Sequence, residues 1–183
     1  MDLTAFAAAD LNTVRWVRST EDRHEYALKA GDATVAVMTW EKHIGSLAHV
    51  ATVGDEWTLK RSGFLNPHLT ARRPGQNVDL ARMTVHSRTH LLEMRGGASY
   101  SFRRAGLLVP AWNLSDSKET KLLEIEPVRQ SGRLVGALVS IDPLGRTHPE
   151  LPLLLAMSWY FVVLAWIEDE AASLGAAVVD AAA

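Results

Sequence analysis

The chain has no cysteine among its 183 residues, which excludes disulfide staples, thiolate metal sites and cysteine nucleophiles and suits a reducing compartment. Charge of one sign is not in excess either. Nineteen Lys and Arg face 21 Asp and Glu, a formal net charge of -2, too balanced to draw the whole molecule toward nucleic acid or acidic membranes. The first ten residues lack a basic start and carry Asp2 and Asp10, a poor match to a secretory signal. No GxSxG elbow, GxxxxGK phosphate loop, strand-linked GxGxxG or HExxH pattern is present, so covalent hydrolysis, nucleotide chemistry and zinc hydrolysis have no support in the sequence. The expectation from these absences is a cytoplasmic, non-enzymatic protein with no catalytic residues, no cofactor and no metal site.

What is present is a globular composition, 48% hydrophobic and 22% charged, in a length that suits one domain. Before Pro149 the pattern is one of short strands separated by turn residues. In residues 12–17, Val14 and Trp16 share one face with Arg15 between them, the alternation of a half-buried antiparallel strand. Further strand candidates are 24–30, 34–41, 46–53, 56–61, 77–85, 89–94, 99–104, 121–128 and 133–141. Gly31-Asp32, Gly54-Asp55, Gly96-Gly97 and Ser131-Gly132 supply turns, where glycine accepts the positive φ of tight hairpins. The region reads as a mainly β meander.

One internal repeat stands out. Residues 57–69, beginning Trp57-Thr-Leu-Lys60-Arg61, align without gaps on 100–112, beginning Tyr100-Ser-Phe-Arg103-Arg104. Each copy runs aromatic, apolar, two basic residues, Gly, two apolar residues and Pro, and an apolar-containing strand follows it. The aromatic and the residue two later are expected to point inward, and the first basic residue of each pair outward. A repeated hairpin explains the pattern without a repeated ligand site.

The segment 151–167 carries no charge and ends at Glu168-Asp169-Glu170. As part of a helix over 149–173 it is apolar on every side and must be enclosed on every side. Pro149 and Pro152 suit the first turn or the position before it. Seventeen residues span roughly 25 Å, short of a bilayer core of about 30 Å, and the segment lacks the basic flanks of a membrane span. A sheet of about ten strands, closed into a barrel, can enclose such a helix and has no exposed edges. The predicted fold is therefore mainly β with one C-terminal helix: a closed antiparallel barrel in a single domain, with strands over 12–141, a central helix over 149–173 and a frayed tail over 174–183.

The meander, the aromatic-x-apolar-basic hairpins at Trp57 and Tyr100, and the terminal hydrophobic helix together resemble the tubby C-terminal-like superfamily, which includes LURP-one-related proteins and phospholipid scramblases. The likeness covers nearly the whole chain and is one of architecture. It implies a closed barrel of about twelve antiparallel strands around a hydrophobic helix, and it implies lipid or membrane association.

Charge is unevenly placed along the chain. Residues 57–106 carry nine basic residues against Asp79 and Glu93, a net charge of +7, whereas one Arg faces six acids after Ile141. Lys60 and Arg103 hold equivalent positions in the repeats, and Arg72-Arg73-Pro74-Gly75 reads as an exposed loop. Lys60, Arg61, Arg72, Arg73, Arg103 and Arg104 are accordingly the candidate ligand-binding residues, offering charge-assisted hydrogen bonds to the phosphate groups of an anionic membrane lipid or another anion. The competing reading is a solvated strand face with internal ion pairs to Glu119, Glu124 and Glu126. Nucleic acid is disfavoured because the few aromatics in the segment alternate toward the core.

Other motifs have plain readings. His86 and His90 are four apart in a turn leading into a strand, which suits surface histidines better than a metal pair. Ser115-Asp-Ser-Lys118 matches SxxK without its companion motifs and is expected to be a loop. The sequon at Asn113 carries no weight without a secretory signal. The six Trp are expected to fill the core. The leading expectation is a binding module for anionic phospholipid or another phosphate-bearing ligand, cytoplasmic or peripheral at the membrane. The alternatives are a structural or protein-interaction module with a protein partner, and a single-span membrane-anchored protein.

Overall fold

The computed structural model describes residues 3–20, 22, 24–41, 45–63, 65–86, 89–106 and 110–180, with side-chain surroundings up to Glu170. Among the described residues twelve strands form one antiparallel sheet: β1 Val14–Arg18, β2 Glu25–Ala30, β3 Ala33–Trp40, β4 Ala48–Thr52, β5 Glu56–Ser62, β6 His68–Arg72, β7 Asp79–Thr84, β8 Thr89–Met94, β9 Ser99–Ala105, β10 Ala111–Asp116, β11 Lys121–Gln130 and β12 Arg133–Ile141. Each strand pairs with the next in sequence, and β1 pairs with β12, so the barrel closes. A short helix α1, Pro143–Arg146, leads to α2, Leu151–Asp180. The closed barrel with a C-terminal helix is the predicted architecture.

Alternation along the strands produces the two-sided wall. In β8, His90, Leu92 and Met94 are buried while Thr89, Leu91 and Glu93 are exposed, because successive side chains point to opposite faces. The repeat behaves as expected: Trp57, Leu59, Tyr100 and Phe102 are all buried. Its turns fall partly on Phe64 and on residues 107–109, which lie outside the described residues.

The two strands that the sequence reading did not mark, β6 and β10, are the return strands of these repeats. Both are short, and Thr70, Asn113 and Ser115 dilute their apolar pattern. At the closing seam Gly136 opposes Val17, and a Cβ there would stand 2.1 Å from the Trp16 carbonyl oxygen. Only glycine permits that close approach of β12 to β1.

Helix α2 fills the barrel. Leu151 and every residue from Leu153 through Leu164 are buried, so most of the part long and apolar enough to cross a bilayer, Leu151–Glu170, lies within the protein. This supplies the enclosure that an apolar surface on all sides of a helix requires. Trp159 stacks on Trp16 of β1 with centroids 5.8 Å apart, Tyr160 stacks on Trp40 of β3 at 5.8 Å, and Phe161 meets Trp112 of β10 edge-on at 5.0 Å. The helix starts at Leu151 rather than Pro149 and continues through the positions expected to fray, as far as Asp180. Alanine-rich sequence sustains a helix well. Residues 181–183 lie outside the described residues.

Inside this core the Ser158 hydroxyl is buried and finds no hydrogen-bond partner among the described residues. A buried hydroxyl without a partner costs about 1–3 kcal/mol. Ser158→Ala is therefore expected to raise stability by about 1 kcal/mol, read as a higher urea midpoint at unchanged slope. A variant less stable than the parent would mean that the hydroxyl is satisfied.

Candidate functional site

The outer wall carries the basic residues, and sheet register determines which of them meet. Lys60 on β5 opposes Thr70 on β6, Thr70 opposes Arg82 on β7, and Arg82 opposes Glu93 on β8. Lys60 and Arg82 are exposed, and among the described residues neither forms an ion pair, with Glu93 the acid directly across from Arg82. Thr70 between them faces outward yet is only 4% exposed, and its hydroxyl reaches the Lys60 carbonyl at 3.4 Å.

The six residues singled out in the sequence do not form one patch. Lys60 and Arg103 lie on β5 and β9, four strand spacings or roughly 19 Å around the wall. Arg72 is tied to Asp79 at 2.5 Å, Arg73 to Asp55 at 2.8 Å, and Arg103 to Glu119. Arg61 follows the inward parity of Trp57 and Leu59 at the end of its strand and pairs with Glu168, just beyond the enclosed part of α2. Arg104 is exposed and has no acidic partner among the described residues, but it stands on β9, away from Lys60. Folding thus brings acids from outside the segment, Glu168, Asp55 and Glu119, onto three of its nine basic residues. Of the three acids expected as partners, Glu119 holds Arg103 and Glu124 stands 3.6 Å from Lys121.

Arg82 is the residue that sequence reasoning left out of the site. Val78 and Leu80 share its parity in the sequence while Ala81 and Met83 oppose it, and only register sets it one strand beyond Thr70 from Lys60. Arg72 joins the same face, at the end of β6.

The histidines depart from expectation. His86 is exposed, but His90 is only 5% exposed, within an aromatic box: Phe161 at 4.2 Å, Trp112 at 5.7 Å and Phe102 at 6.5 Å between centroids. Its Nδ1 accepts the His86 backbone N–H at 3.2 Å, which leaves the ring proton on Nε2. Burial, aided by the nearby His86, pulls its pKa from 6.5 down to about 4. Its place on β8 is an inward one, and the aromatic box around it comes from strands and a helix remote in sequence. Among the described residues no group of three or more His, Cys, Asp or Glu could hold a metal ion.

The SxxK match is strand as well as turn. Ser115 and Asp116 end β10, and the Asp116 carboxylate accepts the backbone N–H groups of Lys118 and Thr120 at 2.8 Å each. That arrangement stabilises a turn.

Where α2 enters the barrel, Tyr100 donates its hydroxyl proton to Glu150 at 2.8 Å, with His148 Nε2 at 3.1 Å. Burial and this bond raise the tyrosine pKa. Where α2 leaves, Trp166 lies beneath the Arg129 guanidinium, 4.2 Å from the ring centroid. Together with Arg61 and Glu168, these contacts hold the helix at both mouths. No protein-family model, curated protein or solved structure matches this chain.

Proposed function

We propose that this chain is a non-catalytic binding module of the tubby C-terminal-like kind, and that it engages acidic phospholipid headgroups at the outer face of β5, β6 and β7. The observation that carries the reading is the pair of exposed cations Lys60 and Arg82, which form no ion pair among the described residues, on either side of Thr70. Arg72 would add a third contact by exchanging Asp79 for a phosphate. Such a face gives peripheral attachment to a cytoplasmic membrane surface, with each basic residue contributing about 1 kcal/mol.

Sedimentation with phosphatidylcholine vesicles, with and without phosphatidylserine, tests the reading. Lys60→Glu combined with Arg82→Glu is expected to weaken binding to the acidic vesicles by at least roughly thirtyfold, two contacts of about 1 kcal/mol each. Arg103→Gln, which removes a cation already held by Glu119, should bind like the parent. Equal binding by parent and double variant would reject the lipid face.

A protein-interaction role has its own support on the opposite wall. Val17, Val128 and Leu138 are 37%, 38% and 52% exposed and cluster on β1, β11 and β12 around Gly136. A partner held there would bind with little salt dependence. An anchor role would require α2 to leave the barrel that encloses it.

A further inference from the structure

The barrel end at which α2 enters contains a cavity of about 300 Å³, at the lower limit of ordinary small-molecule sites. Its floor is apolar: Trp57, Met94 and Leu153, each under 10% exposed, together with Leu80. Its rim is ionic. Asp55 and Arg73, paired at 2.8 Å, separate it from a polar groove lined by Thr52, Glu56 and Gln76. The remaining charged residues of the rim are Arg95 and Glu150.

Their partners determine what the cavity can take. The Asp55 carboxylate is occupied by Arg73, and that of Glu150 by the Tyr100 hydroxyl at 2.8 Å. Arg95 is exposed, and among the described residues its side chain has no acidic partner. Each of those carboxylates already accepts one hydrogen bond, whereas the Arg95 guanidinium has its N–H groups ready for bidentate pairing with an incoming anion. Asp55 and Glu150 penalise a doubly charged anion more than a singly charged one. An apolar floor beneath a single available guanidinium suits an aliphatic chain ending in a carboxylate.

We infer that this cavity is a binding site for a single-chain aliphatic monocarboxylate, with the chain on Trp57, Met94 and Leu153 and the carboxylate on Arg95. The site is independent of the outer basic face. Calorimetric titration with octanoate at about pH 8, where a phosphate monoester carries two charges, is expected to give saturable binding. From butyrate upward, affinity should rise roughly fourfold for each methylene, and octyl phosphate should bind more weakly than octanoate. Arg95→Gln should weaken octanoate roughly tenfold and leave octanol unchanged, and Arg95→Glu should exchange the preference for octylamine.

Gly96 lines the same cavity, and a Cβ placed on it meets nothing within 4 Å. Gly96→Trp should therefore fold, with an unchanged melting temperature, while blocking octanoate. Absence of saturable octanoate binding at millimolar concentration would overturn the inference, as would undiminished binding in a folded Gly96→Trp variant or a preference for octyl phosphate. Gly96→Trp leaves the vesicle-binding face untouched, and the Lys60/Arg82 double variant leaves the cavity untouched, so the two readings fail separately.

Discussion

Trp159→Ala is expected to cost about 3–5 kcal/mol, a large share of the 5–15 kcal/mol that holds a typical domain. Trp159 is fully buried. It lies nearly parallel to Trp16, with 11° between the ring planes, and meets the edge of Tyr26 at 5.2 Å. The barrel wall is a closed hydrogen-bonded ladder, so its strands cannot move inward to fill the void, and the full cavity term remains. Trp159→Phe should cost about 1–2 kcal/mol, because it keeps a ring and loses an indole N–H that has no acceptor among the described residues. Urea unfolding at fixed pH reads both values. A double-mutant cycle with Trp16→Ala should return about 0.5–1.5 kcal/mol of coupling for the stacked pair. An alanine variant within about 1 kcal/mol of the parent, well below the usual cost of such a deletion, would show that α2 is not seated against β1 at this level.

The second large effect is loss of stability in mild acid through His90. Its pKa is depressed in the folded chain, from 6.5 to about 4, so between those values the unfolded chain takes up a proton that the folded chain refuses. Stability therefore falls as pH drops from about 6.5 toward 4, by up to about 3 kcal/mol, and the contribution is fully present above that window. Geometry agrees with the direction. Protonation of Nδ1 would convert the acceptor of the His86 N–H into a donor and place a cation against Phe161 in a nearly dry box. His90→Phe, which keeps a ring among rings, should flatten the slope of stability against pH in this window, leaving the shallower contribution of the carboxylates. Equal slopes for parent and variant would remove His90 as the cause.

Much of the fold was legible because it rests on local patterns. Val14 and Trp16 alternating with Arg15 mark a two-faced strand, and the uncharged run after Leu151 demands enclosure on all sides. β6 and β10 were harder to see, because each is short and offers only two inward apolar residues, Leu69 and Ala71 in one and Trp112 and Leu114 in the other. The site was legible only as a list of cations. That Arg61 turns to Glu168, or that Arg73 turns to Asp55, depends on how far strands and helix are displaced along one another. Nothing in the local pattern of either residue encodes that displacement. His90 was misread for the same reason: Phe161 and Trp112 are remote in sequence and become its neighbours only when the barrel closes.

By itself, then, the sequence determined a mainly β chain wound around a hydrophobic helix, since periodicity and the cost of exposing apolar surface act residue by residue. Only the tertiary structure decided which charges cancel, which cations stay without an ion pair among the described residues, and where a cavity remains at the helix entrance. Those outcomes depend on distances between strands and turns set by register and closure, and Coulomb and packing energies change over a few ångströms that no alternation pattern records.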